Sequence, residues 1–151
     1  MSLSVAGGVQ IFCGFVIFLC EVIGMGLWAG ASATKYTGFV SGIVFIVSGI
    51  LALAAASAIR QSKSNAMCLA ITALVMGIIS SLLAFGLLVW YSLLVDAYRK
   101  VSVILIVTAP AAIVSTELAF QIIVLFASIA VAMFSGKSIT EPTAATIYRA
   151  P

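Results

Sequence analysis

The chain has 151 residues, of which 64% are hydrophobic and 7% charged, with seven basic and four acidic side chains and no histidine. A soluble domain carries roughly 25% charged residues, so this composition cannot build a water-facing surface, and an integral membrane protein is expected. The absence of histidine excludes a Ser-His-Asp triad, a Cys-His pair and an H-E-x-x-H zinc site, and the three cysteines and four acids have no spacing of a closed metal site. The expectation is therefore no enzyme, no cofactor, no metal and no nucleic-acid partner, with the lipid bilayer as the surrounding medium.

The charges stand at Glu21, Lys35, Arg60, Lys63, Asp96, Arg99, Lys100, Glu117, Lys137, Glu141 and Arg149, and the uncharged stretches between them delimit helices. A helix needs ~20 apolar residues to cross hydrocarbon ~30 Å thick. Four spans are predicted, at about 8–30, 38–59, 66–93 and 111–135, giving an all-α antiparallel four-helix transmembrane bundle with short loops. Residues 1–7 are expected to be a short cytoplasmic N-terminus. Residues 136–151, polar and with two prolines, are expected to be a disordered cytoplasmic tail in which Thr140 or Tyr148 could be modified.

Span one is predicted to be retained rather than cleaved, because no Lys or Arg precedes it in the first ten residues and its apolar run exceeds a signal-peptide core. Connections 31–37 and 60–65 are tight, which makes consecutive helices antiparallel neighbours. The third connection differs. After the charged stretch 96–100 comes an apolar run, 101–107, too short to cross, and then Pro110, which suits the first turn of a helix. It reads as an interfacial segment before span four, with one long kinked fourth helix as the alternative.

With both termini cytoplasmic, that side would hold Arg60, Lys63, Lys137 and Arg149 against Lys35, Arg99 and Lys100 outside, in line with the positive-inside rule. Cys13, Cys20 and Cys68 all fall outside the two external connections, so no disulfide is expected there. Cys68, beside the 60–65 loop, is either a palmitoylation candidate or an inert buried thiol. Asn65 is followed by Ala-Met and makes no glycosylation sequon.

Each span carries one small or polar face at helical spacing. Span one offers Gly7, Gln10, Gly14, Glu21, Gly24 and Trp28, and span two Gly38, Ser41, Gly42, Ser48, Gly49, Ala52 and Ala56. Span three offers Ala66, Ala70, Ala73, Gly77, Ser80, Ser81 and Ala84, and span four Glu117, Gln121, Ser128 and Ser135. Lipid gives helices no hydrophobic reason to associate, so small residues and interhelical hydrogen bonds must supply it. Gly14, Gly38, Gly42, Gly49, Ala73 and Gly77 are the predicted packing positions. Gly26-x-x-x-Gly30, away from the Glu21 face, would give span one a second contact surface and points to a homodimer or higher oligomer.

Glu21 falls near the middle of the predicted first span, where an acid is costly. It is expected to be neutral and hydrogen-bonded inside the bundle, with Gln121, Ser48 or Ser80 as partner. Glu117, near the outer end of span four, would reach Arg99, Lys100, Lys35 or water. Two readings stay open: Glu21 and Glu117, with Gln10 and Gln121, line a proton or cation path, or Glu21 is interhelical glue and Glu117 an interfacial acid. Trp28, Tyr36, Trp90, Tyr91 and Tyr98 cluster at the predicted outer ends as an anchoring aromatic belt.

Two motifs resemble one known family. Gly7-Gly8-Val9-Gln10-Ile11-Phe12-Cys13-Gly14 is similar to the G-x-V-Q-I-x-x-G opening of the membrane-spanning four-domain subfamily A proteins, the B-lymphocyte-antigen-like tetraspans. Gly42-Ile43-Val44-Phe45-Ile46-Val47-Ser48-Gly49-Ile50-Leu51 resembles their G-I-x-(F/Y)-I-I-S-G-x-L signature, with Val47 where the pattern has isoleucine. The resemblance extends over about residues 7–93. It implies four helices, cytoplasmic termini, dimers or larger assemblies at the plasma membrane or an endomembrane, and roles in signalling, trafficking or modulation of calcium entry. Here the second external connection lacks the paired cysteines of well-known members, and Glu21 stands where a small or apolar residue is usual. A shorter stretch, Leu19-Cys20-Glu21-Val22-Ile23-Gly24, resembles the L-x-E-V-I-G of small multidrug resistance transporters, which implies the alternative of a proton- or cation-coupled transporter or channel.

Overall fold

The computed structural model describes residues 2–27, 37–61, 64–100 and 108–147. Within them the chain forms four helices and no strand: α1 (Leu3–Leu27), α2 (Thr37–Arg60), α3 (Ala66–Lys100) and α4 (Thr108–Ile147). Each contains a stretch long and apolar enough to cross a membrane, namely Leu3–Ile23, Thr37–Arg60, Ala66–Leu93 and Ser115–Thr140. The protein is an all-α, multi-pass membrane four-helix bundle.

The helix ends have local causes. Ser2 caps α1: its carbonyl accepts from the Ala6 N–H at 3.0 Å, and its hydroxyl accepts from the Val5 N–H at 3.4 Å. This is the geometry serine favours at a helix start, and it begins α1 five residues before the expected position 8. Arg60 lies in the last turn of α2, where a cation complements the helix dipole. Asn65 opens α3, its carbonyl accepting from the Leu69 N–H at 3.1 Å. Pro110 sits in the first turn of α4, where its missing N–H leaves no hydrogen bond unmade.

Two sequence expectations change. The tail expected to be disordered from 136 is helical as far as Ile147. Its hydroxyls turn back on the helix instead of competing with it: Ser138 donates to the Phe134 carbonyl at 2.8 Å, and Thr140 to the Lys137 carbonyl at 3.0 Å. Glu21, expected near the middle of its span, stands level with Gly38 in the first turn of α2. Segment 101–107, Gly30, Trp28, Lys35, Tyr36 and Tyr148 lie outside the described residues, and with them the interfacial reading, the kinked alternative and the Gly26-x-x-x-Gly30 surface.

α1 packs antiparallel on α2 and on α4, and α3 packs antiparallel on α4 and on α2. The α1–α2 contact is a pair of reciprocal backbone approaches. A Cβ added at Gly7 would lie 2.9 Å from the Gly49 carbonyl oxygen, and one at Gly49 would lie 2.6 Å from that of Gly7. Gly14 and Gly42 repeat the arrangement one heptad along, each 2.9 Å from the other's carbonyl oxygen. Only a residue without Cβ allows this, and Cα–H···O contacts between such backbones add about 0.5–1 kcal/mol each. On α3, a Cβ at Gly77 would lie 3.1 Å from the Ala132 backbone nitrogen of α4, a one-sided close approach in the second hairpin.

Inside, the side chains stack in layers. At the end that holds both chain termini, Leu3, Ala6, Ala52, Ala55, Ala73 and Val131 form a small-residue core. Toward the other end, Cys13, Ile17, Phe45, Ala84, Leu87, Tyr91 and Val124 form a bulkier one. The outer surface is apolar on every helix, as at Phe12, Ile50, Leu82 and Phe126, which is the surface that hydrocarbon solvates. Gly49→Val is expected to lower folding stability by about 1–3 kcal/mol through overpacking. Gly8→Val, where no atom lies within 4 Å, should change it by less than about 0.5 kcal/mol. Reversible denaturant unfolding in micelles compares the two.

Candidate functional site

Hydrocarbon offers no hydrogen bonds, so polar side chains within a span turn to the bundle interior and to one another. Among the described residues, nine polar or charged side chains are buried: Gln10, Glu21, Ser41, Ser48, Ser80, Glu117, Gln121, Ser128 and Ser135. They fall at two principal levels.

The first level is at the middle of the spans. The Gln10 amide donates to the Ser128 hydroxyl at 2.7 Å, and the Ser48 hydroxyl donates to the Gln10 amide oxygen at 3.4 Å. Ser80 stands one turn along α3 from Gly77, whose face meets the Ser128 carbonyl, so it shares this level. Each helix thus contributes one fully buried polar residue near the membrane midplane. Ser48, expected as a partner for Glu21, serves Gln10 instead, because the register of α1 against α2 brings Gln10 to this level.

The second level lies eleven residues along α1, roughly 16 Å away at the helical rise. Here Glu21 of α1, Tyr91 of α3 and Glu117 of α4 converge, with 7%, 1% and 2% of their surface exposed. The Tyr91 hydroxyl donates to Glu21 Oε1 at 2.9 Å. The Gly38 N–H, in the first turn of α2, donates to the same carboxyl, and Gly38 packs so closely under Glu21 that an added Cβ would overlap its side chain. Glu117 lies close to the Tyr91 hydroxyl and to the Glu21 carboxyl. All four helices therefore meet at this cluster.

This arrangement departs from the sequence reading in three ways. The partners of Glu21 are Tyr91 and the Gly38 backbone, not Gln121, Ser48 or Ser80. Glu117 is buried against Tyr91 and Glu21, whereas an interfacial acid reaching water was one expectation; its other expected partners, the side chains of Arg99, Lys100 and Lys35, are outside the described residues. Tyr91 is an interior residue and not part of an aromatic belt, although its neighbour Trp90 does face outward with 46% exposure. Depth in the span groups these two aromatics together. The helical register separates them, since Tyr91 continues the inward series Ala73, Gly77, Ser80, Ala84 and Leu87.

Bonding across the two levels is uneven. Glu21, Gln10, Ser48 and Ser128 are engaged, whereas Glu117 Oε1, both amide atoms of Gln121, and the Ser80 and Ser135 hydroxyls are buried without a partner among the described residues. Gln121 is one turn from Glu117 on the same buried face of α4, a spacing at which helical side chains are neighbours. Among the described residues no group of three or more Cys, Asp or Glu side chains is placed to hold a metal ion. The thiols are free: Cys13 is buried, Cys20 half-buried and Cys68 exposed, the last near the start of α3 at the end of the bundle that holds the termini.

No family model, curated protein or solved structure matches this chain. Within the site, Tyr91 is the side chain shared by both carboxyls. Tyr91→Phe removes the phenol hydroxyl from these buried groups and should destabilise the bundle by about 1–3 kcal/mol. Ser92→Ala is the control: that hydroxyl is exposed and bonds only to Leu88 and Val89 carbonyls of its own helix. Equilibrium unfolding of both variants in the same micelle checks the difference.

Proposed function

We propose that this is a non-enzymatic multi-pass membrane protein that acts by lateral association, forming homodimers or larger homo-oligomers and organising or modulating other membrane proteins. The carrying observation is a pair of open glycines on the lipid-facing surface. Gly8 on α1 and Gly86 on α3 are exposed, and nothing lies within 4 Å of the place where either would bear a Cβ. Glycine lowers helix propensity by about 1 kcal/mol relative to alanine and yields nothing against lipid. Facing another helix, it permits close backbone approach. Gly86 lies among exposed Leu82, Phe85 and Val89, a notch bordered by large apolar side chains.

The closed interior supports the same reading. Between the carboxyl cluster and the midplane level stand Cys13, Ile17, Phe45, Leu87 and Val124, packed together, an apolar layer that among the described residues of α4 is interrupted by Gln121. The proposed orientation places the termini in the cytoplasm. Arg60 and Lys137, the basic residues with described side chains, are exposed at that end, while Asp96 is exposed beyond the carboxyl cluster at the other. The resemblance to the four-domain subfamily A tetraspans is compatible with this role and adds signalling, trafficking or calcium-entry modulation as the kind of process served, at the plasma membrane or an endomembrane.

A second reading has its own observation. Two acids from different helices meet in the bundle interior, which interhelical glue does not require, and intramembrane acids mark proton or ion handling. On this reading the chain is a small proton- or cation-coupled transporter or channel that opens the apolar layer in another conformation.

Cross-linking and mass analysis in native-lipid discs test the first reading. Dimers or larger species are expected, and Gly86→Ile should reduce their fraction at least several-fold while leaving the helical content unchanged. A monomer at every protein-to-lipid ratio refutes it. In reconstituted vesicles, pH-driven cation flux that disappears with Glu21→Gln would establish the second.

A further inference from the structure

The carboxyl cluster holds more oxygen atoms than its hydrogen bonds use. Glu21 is well supplied, taking the Tyr91 O–H and the Gly38 N–H at the start of α2, where the helix dipole also favours negative charge. A phenol has one proton to donate, and Tyr91 commits it to Glu21. The phenol oxygen consequently faces Glu117 as an acceptor, and Glu117 Oε1 has no partner among the described residues. One turn below, Gln121 is fully buried with both amide atoms unpartnered.

The surroundings do little to relieve the two acids. Among the described residues, the ionisable groups against the cluster are Cys20 and Glu21 on α1, Tyr91 on α3 and Glu117 on α4. The first turns of α2 present Gly38 and Ser41, and the Ser41 hydroxyl is committed to the Gly38 carbonyl at 3.0 Å. Among the described residues no positive charge stands against the two acids. A proton on Glu117, donated to the phenol oxygen, is one way to supply one. A cation among the same oxygens is the other.

We propose that Glu21, Tyr91, Glu117 and Gln121 form a binding site for a single small monovalent cation of the sodium type, for which a proton on Glu117 competes. The donors are carboxylate, phenol and amide oxygens, the hard ligands that such ions prefer. They come from three helices, so a bound ion would tie α1 to α3 and α4. Four donor side chains, with part of Glu21 already engaged, fall short of the about six to eight oxygens that calcium takes. The site needs only ion entry from the nearer membrane face, so it stands whether or not an ion crosses the bundle and whether or not the chain oligomerises.

The test uses the full chain in lipid discs, with thermal unfolding followed by tryptophan fluorescence in chloride salts of equal ionic strength. At pH 8, sodium in place of choline is expected to raise Tm by several degrees, because a ligand bound only to the folded state stabilises it by mass action. At pH 5 the shift should shrink as protons take the site. Glu117→Gln and Gln121→Leu should each abolish the sodium shift while retaining a cooperative transition. Direct binding of radioactive sodium gives a second readout, expected for the native chain and lost in either variant. No cation-dependent shift and no sodium binding at pH 8 would overturn the proposal and leave the charge to a proton or to one of the chain's own basic residues. A shift with calcium but not sodium would overturn the monovalent assignment, and a sodium shift unchanged in both variants would overturn the location.

Discussion

The reciprocal approach of Gly7 to Gly49 and of Gly14 to Gly42 is the contact on which the rest of the bundle depends. These pairs bring two backbones within van der Waals distance at two points seven residues apart, which fixes the rotation, spacing and register of α1 against α2. Register then decides what every other α1 residue meets. Gln10, between the two clasps, is delivered to Ser48 and Ser128. Glu21, one further heptad along, lies over Gly38 at the start of α2. Side chains at the clasp positions would push the helices apart and release both polar levels from their partners.

The two polar levels differ in how they are closed. At the midplane, where hydrocarbon is deepest, the groups are neutral and the Gln10–Ser48–Ser128 bonds draw on three helices. Interhelical bonds of this kind contribute about 0.6–2 kcal/mol each in membranes, enough to select a register without dominating stability. Among the described residues the two buried acids belong to the other level, beside the first turn of α2, where the cost of an acid is smaller than at the midplane. The chain therefore tolerates two buried carboxyls by placing them at the edge of the hydrocarbon and screening them with a phenol and a helix terminus.

Much of this is legible in the residues. Composition and the spacing of charges delimit the four spans because hydrocarbon thickness imposes a minimum apolar length, and that constraint acts on each helix independently of its neighbours. The small and polar faces are legible for the same reason, since a face is a property of one helix. Depth and partnership are not. Glu21 reads as mid-span in the sequence because its place against the first turn of α2 is a property of two helices and not of one apolar run. Tyr91 reads as an anchoring aromatic because its proximity to Trp90 and the span end outweighs the helical phase that points it inward. Which acid meets which hydroxyl follows from the register between helices, and in this bundle backbone contacts set that register.

The bundle is built as two hairpins, α1–α2 and α3–α4, and the carboxyl cluster joins them by a hydrogen bond between α1 and α3. Among the described residues the backbones of α1 and α3 never come within 8 Å between α-carbons, because these helices occupy opposite corners of the bundle. The Tyr91–Glu21 bond nevertheless crosses that diagonal, and Glu117 reaches the same phenol from the α4 side. The glycine clasps hold each hairpin together by close backbone packing, which responds little to solution conditions. The diagonal link consists of ionisable groups, whose mutual attraction depends on how many protons or ions they hold. On the proposed cation site, a change in that occupancy would act on the distance between the hairpins at one membrane face, while the clasps and the midplane bonds would keep the remainder of the bundle in register.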